Sequence, residues 1–169
     1  MKRFLLPAGV IIVALGAFWF LIPGEKAAAD PRNATYQIEG SSVTLVNGRA
    51  ESEAAPGSAS KTVTQYFGNE ATGDLDGDGQ PDTAFILAQS GGGSGTFFYV
   101  AVALKTPSGY HGTNAVFLGD RIAPQTTQIK DGEVIVNYAD RAPGDPMAVP
   151  PMIGVSTYLK VVDSALVTL

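Results

Sequence analysis

The chain has no cysteine, one histidine and one tryptophan among its 169 residues. Without cysteine there can be no disulfide, no thiolate zinc site and no lipidated-cysteine anchor, and a lone histidine cannot build a multi-histidine zinc centre. Basic residues are scarce too, with 11 Lys and Arg against 16 Asp and Glu. Beyond residue 30 no stretch repeats apolar residues with the helical period. Glycine, by contrast, is plentiful, at 20 residues, and proline contributes 11. A strand-and-turn protein is the expectation from these absences.

The first thirty residues differ from the rest. Met1-Lys2-Arg3 is basic, and an uncharged, mostly apolar run follows from Phe4 to Ile22. As a helix, such a run rises about 28 Å, close to the hydrocarbon thickness of a bilayer. Lys2 and Arg3 hold the N-terminus on the cytoplasmic side, which sends the remainder outward. Residues 1–29 therefore read as a signal-anchor transmembrane helix, with Phe18-Trp19-Phe20 at its outer end, where membrane anchors place aromatics. The alternative is a signal peptide cleaved near Ala29, because Ala27-Ala28-Ala29 is a small-x-small site. Either way the domain is exported: single-pass and facing the periplasm or exterior in one case, periplasmic or secreted in the other. Removing the first thirty residues leaves 14 acids and 8 bases, a net charge of −6. Such a surface has no footprint for nucleic acid or anionic lipid, so nucleic acid is excluded as a partner.

After a short stalk at 30–34, residues 35–169 read as one β-domain. Thr35–Glu39 and Ser42–Val46 flank a turn at Gly40, and Asn47-Gly48 is a two-residue hairpin signal. Glu51–Ser60, rich in Ala, Ser, Pro and Gly, reads as a loop. Lys61–Phe67 alternates polar and apolar residues, as a half-buried strand does. Thr83–Ala88 and Thr96–Leu104 are nearly continuous apolar runs, expected as central strands covered on both faces. Asn114–Leu118, Thr126–Lys130, Glu133–Tyr138, Thr157–Val162 and Ala165–Leu169 complete roughly ten strands, the pattern of a β-sandwich or barrel. The proline-rich stretch from Pro143 to Pro151 cannot be a ladder strand, since proline lacks the N–H.

Chemistry concentrates in Asp74-Leu75-Asp76-Gly77-Asp78-Gly79-Gln80-Pro81-Asp82. Four carboxylates in nine residues repel one another unless a cation sits among them. Ca²⁺ takes six to eight oxygen ligands, and alternate residues of a tight turn point inward. Asp74, Asp76 and Asp78 supply that alternation, the Gln80 carbonyl can follow, and Asp82 is placed to close the shell. Gly79 is sixth from Asp74, where calcium loops turn sharply. Mg²⁺ fits less well because it keeps its waters. An EF-hand is excluded, because the twelfth position is Phe85 and Pro81 leads into a strand. The pattern Asp-x-Asp-x-Asp-Gly-x-x-Asp resembles the calcium loops of FG-GAP and related extracellular β-repeats. That resemblance implies ligand roles for Asp74, Asp76, Asp78, Asp82 and the Gln80 carbonyl. The Gly-Ala-Pro element of that family does not follow and the loop occurs once, so a multi-blade propeller is not expected. The whole chain also resembles uncharacterised bacterial envelope proteins, which brings no activity with it.

Other motifs carry less. Ser90–Gly95 lacks the Gly-Lys-Ser/Thr ending of a phosphate loop and precedes a strand, so it reads as a hairpin loop. His111 lies in the turn-like Gly109-Tyr110-His111-Gly112; no Gly-x-Ser-x-Gly elbow accompanies it. Asp120-Arg121 and Asp140-Arg141 read either as local turn salt bridges or as an interaction patch bearing Arg121 and Arg141. The expectation is a non-enzymatic, calcium-binding module of the cell envelope, partnered with the membrane through its N-terminus and with a protein or envelope polymer. The alternatives are a cleaved inhibitor or ligand-binding protein and a hydrolase using the acidic cluster or His111.

Overall fold

The structure, a computed structural model, describes residues 29–169. The expected N-terminal helix and cleavage site lie outside the described residues, and no described helix is long and apolar enough to cross a membrane. One turn of 3₁₀ helix, Pro31–Asn33, opens the domain, capped by the Asp30 side chain accepting from the Arg32 amide. The remaining elements are strands: β1 (Thr35–Ile38), β2 (Ser41–Thr44), β3 (Arg49–Glu53), β4 (Lys61–Gly73), β5 (Asp82–Ser90), β6 (Phe97–Thr106), β7 (Gly109–Gly112), β8 (Asn114–Asp120), β9 (Ala123–Lys130), β10 (Glu133–Asp140), β11 (Ile153–Val162) and β12 (Ala165–Thr168).

They form two sheets. The larger runs β2-β1-β8-β6-β5-β4-β3, with β7 also pairing β6; the smaller runs β12-β11-β10-β9. Its outermost strands, β2 and β3, are consecutive in sequence, so the large sheet curls until its two ends meet at the Asn47-Gly48 turn. It is a nearly closed, barrel-like sheet with the smaller sheet packed against it. Most pairings are antiparallel, but β1 and β8 run parallel through Gln37–Asn114 and Ile38–Ala115.

The apolar runs form the wall common to two cores. Successive strand residues point to opposite faces. Ala84, Ile86, Val100 and Val102 join a core with Val134, Val136, Leu159 and Leu166 of the smaller sheet. Phe85, Leu87, Tyr99, Ala101 and Ala103 fill the barrel with Tyr36, Ile38 and Leu45. The Phe85 ring meets Tyr36 edge-on at 5.4 Å and Tyr66 at 4.9 Å. The double covering expected of these strands is therefore present.

Some boundaries differ from expectation for local reasons. Glu51–Glu53, expected within a loop, belongs to β3 and pairs with Lys61–Val63. Charged side chains suit it there, because β3 is an edge strand. The turn-like segment around His111 is strand β7, paired to the end of β6. Gly112 allows this approach, since a Cβ there would lie 2.3 Å from the Thr35 carbonyl oxygen. β4 runs on to Gly73 through an irregular register at Gly68 and Asn69, where φ is +111° and +49°. Pro124 lies inside β9, which tolerates it as an edge strand with a register shift alongside. The proline-rich stretch has no strand, as expected.

Truncating either face of the shared wall should weaken both cores. Phe85→Ala should cost about 3–5 kcal/mol and Ile86→Ala about 2–5 kcal/mol in urea unfolding. Each variant should still unfold in one transition; two separated transitions would show that the cores are independent.

Candidate metal centre

The acidic loop is an excursion from the β4–β5 ladder, which closes at its base through the Gly73–Asp82 pair. Two side chains fix it to the body. Leu75 is 5% exposed and inserts into the core between the sheets. Asp82 is fully buried. Its Oδ2 accepts from the Leu75 amide at 2.9 Å and its Oδ1 from the Lys105 amide at 2.8 Å. One carboxylate thus ties the loop to the start of β5 and the end of β6. Burial pushes this carboxyl above its ordinary range; the two amides oppose that, and the negative Asp76 and Asp78 reinforce it.

The loop then folds around its own acids. Asp74 accepts from the amides of Gly77 at 2.8 Å and Gly79 at 3.0 Å. Asp76 accepts from the Asp78 amide at 3.1 Å. Asp78 accepts from the Gln80 amide at 2.7 Å and from Gln80 Nε2 at 2.8 Å. Gly77 and Gly79 both have φ +82°, and a Cβ at either would meet nothing within 4 Å. Backbone conformation, not space, selects glycine there.

The result brings Asp74, Asp76 and Asp78 together, with one carboxylate oxygen from each lying within 4.8 Å of the others. At that separation each pair of charges repels by about 1 kcal/mol even at the dielectric constant of water. No ion pair among the described residues offsets this. Among the described residues the ion pairs are Arg32–Asp30, Arg49–Glu51 and Arg121–Asp120, all elsewhere. Oxygens on opposite sides of a calcium ion at about 2.4 Å stand about 4.8 Å apart, so the spread of the three fits one such ion. Each carboxylate oxygen has a second lone pair beyond the one taken by an amide. Gln80 lies against Asp78, while Asp82 stands behind the loop, outside the group of three, with both oxygens engaged by backbone.

The remaining sequence candidates fall into place around this centre. Arg121 pairs with Asp120 at 2.9 Å and holds that carboxyl below the usual carboxylate range. Arg141 Nε donates to the Val149 carbonyl at 2.6 Å, and its Nη1 donates to the Arg121 carbonyl at 2.9 Å. The two arginines come together, yet their donors serve the chain itself, and Arg141 staples the proline-rich stretch to the β8–β9 turn. Nothing in the local sequence signals that staple, which spans twenty residues. The Ser90–Gly95 stretch links antiparallel β5 and β6, and His111 is exposed on β7. The anchoring of Leu75 and Asp82 was also missed, although a leucine within an acidic loop is a readable sign of it.

With metal chelated away, Asp82→Asn should lower stability by about 1–3 kcal/mol in urea unfolding, because the amide NH₂ cannot accept from the second backbone N–H. A loss seen only in the presence of metal would place Asp82 in the coordination shell instead.

Compared with known proteins, the chain matches no family model, no curated protein and no solved structure.

Proposed function

We propose that this chain is a calcium-stabilised β-domain of the cell envelope, held by its N-terminal segment and serving as a non-enzymatic interaction module. The observation that carries the calcium reading is the convergence of Asp74, Asp76 and Asp78 within 4.8 Å, with none of the ion pairs among the described residues involving them. Calcium suits these donors better than other metals. Zinc prefers nitrogen and sulfur, and magnesium keeps most of its water. The Gln80 carbonyl and solvent would complete the shell around the three carboxylates, in the manner of the FG-GAP-type loops that the sequence resembles. Bound there, the ion supplies the positive charge that the loop lacks, and it acts structurally by fixing the start of β5.

The envelope part of the reading rests on the sequence. Lys2-Arg3 followed by Phe4–Ile22 favours an anchor with the β-domain outside, and the net charge of −6 beyond residue 30 disfavours nucleic acid. Intact mass of the exported protein decides between anchor and cleaved signal, because cleavage near Ala29 removes the entire apolar run.

A dissociation constant of about 10⁻⁴ M, common among extracellular modules, would stabilise the native state by about 1.4 kcal/mol at 1 mM calcium. The melting temperature of chelator-stripped protein should then rise by about 4 °C on adding calcium. Asp74→Ala and Asp78→Ala should abolish that rise. Equal melting with calcium and chelator, or an unchanged response in the variants, would overturn the reading.

A further inference from the structure

Ala29, where the described domain begins, lies beside the root of the acidic loop. Residues Ala29–Arg32 form one wall of an opening of about 600 Å³ whose opposite wall includes Glu70, Thr72 and Thr83. Thr72 and Thr83 pair with each other one step before Gly73–Asp82, the pair that closes the base of the loop. A second contact agrees: a Cβ at Gly109 would lie 3.9 Å from the Ala29 Cβ. Gly109 pairs with Thr106, next to Lys105, whose amide donates to Asp82 at 2.8 Å. The entering chain is fixed in this place. Tyr36 Oη donates to the Pro31 carbonyl at 2.6 Å, and Gly48 N donates to the Arg32 carbonyl at 2.8 Å.

The other end of the barrel is one strand length away. β5 has nine residues, which carry the chain about 26 Å at about 3.3 Å per step. A strand tilt of about 40° turns this into about 20 Å along the barrel axis, and the connecting loops extend beyond it. At that far end Thr96 N donates to Asp120 Oδ1 at 2.9 Å, which joins the Ser90–Gly95 loop to the Asp120-Arg121 turn. The Arg141 staple brings the proline-rich stretch to the same turn. The domain thus has two unlike ends, one with the chain entry and the acidic loop, the other with the long loops.

Six residues separate Ile22, the end of the apolar run, from Ala29. They lie outside the described residues, but covalent geometry limits their span to about 22 Å at full extension. Resting on the reading of Phe4–Ile22 as a membrane anchor, we propose that the acidic-loop end of the barrel is the surface that faces a phospholipid bilayer. The loops of the far end then point away from the membrane, towards any protein or envelope polymer. An inverted domain would need the six residues stretched taut along the whole barrel wall. The loop-down arrangement leaves them slack and keeps their conformational entropy, which decides between the two. The orientation follows from where the chain enters the domain, and it does not depend on an ion in the loop.

The test uses the full chain in phosphatidylcholine vesicles that carry an acceptor dye on their headgroups. Because the chain has no cysteine, a donor dye can be placed at one site at a time. Ser108→Cys labels the turn beside Gly109, and Ser94→Cys or Ala148→Cys labels the far end; all three positions are exposed. Energy transfer from Ser108→Cys should exceed that from either far-end site at least about twofold, given about 20 Å between the ends. The order should be the same with calcium and with chelator. Inserting about twenty Gly and Ser residues between Ala27 and Ala28 should erase the difference, since such a linker spans about 25 Å on average and frees the domain to turn. Equal or reversed transfer in vesicle-bound chain would overturn the orientation while leaving the anchor reading intact. A difference that survives the insertion would overturn it too, because the tether would not be its cause. Release of the chain when the vesicles are sedimented would overturn the anchor reading, and the orientation with it.

Discussion

Everything in this domain is arranged around a strand pair that has no outside. β5 and β6 are apolar on both faces, so the barrel core and the core between the sheets share them as a wall. Such a pair is strongly stabilised by burial but weakly specified in register. In a half-exposed strand, slipping by one residue turns the apolar face to solvent and is penalised; here both faces are apolar and that penalty is missing. Buried polar groups supply the missing specification. Asp82 can accept from both Leu75 N and Lys105 N only when β5 lies in its observed register on β6. At the far side, Thr113 is 1% exposed; its Oγ1 accepts from Val102 N while donating to the Asn114 carbonyl, and its carbonyl accepts from Gln37 N. A one-residue slip would leave these groups buried and unpaired, at about 1–3 kcal/mol each.

The acidic loop takes its meaning from that position. Leu75 and Asp82 bind it to the wall, so the loop's geometry and the register of β5 are a single constraint. Asp74, Asp76 and Asp78 face outward on the other side of the same anchor, where their charges repel. A cation bound there, as we propose, would act on the strand that both cores use, so that a modest binding energy would reach the whole domain. Asp82 lies apart from the group of three, its carboxylate holding two backbone amides behind the loop.

How far the sequence could be read follows from the range of the forces involved. The apolar runs of β5 and β6 were legible because burial on both faces is a property of composition along the strand. The three alternating aspartates were legible because a tight turn converts spacing directly into proximity. Asp82 sits ninth in the loop, where spacing makes it a candidate ligand, and it is also the first residue of β5, where its buried carboxylate accepts from two backbone amides; the loop count alone does not show that second role. β3 was hidden because its Glu51 and Glu53 look like loop residues until a neighbour at Lys61–Val63 is supplied. The parallel contact of β1 with β8 and the Arg141 staple join residues far apart in the chain, and no local pattern encodes either.

The same division between local signal and distant contact explains the open edge of the barrel. Asn47-Gly48 carries a strong local preference for a closed hairpin, and Gly48 does adopt φ +79° as that preference requires. Its amide and carbonyl, however, are drawn to opposite sides, one to Arg32 and the other to Tyr66. Those bonds hold the turn while preventing the strands from following it into a ladder. Leaving two edges unpaired forgoes several backbone hydrogen bonds and exposes a template for association, which proteins ordinarily suppress. β3 carries charges of the kind that blunt an edge, but β2, Ser41-Ser42-Val43-Thr44, has neither charge nor proline. The hydrogen bonds that hold the turn are thus what leaves β2 and β3 without a shared ladder.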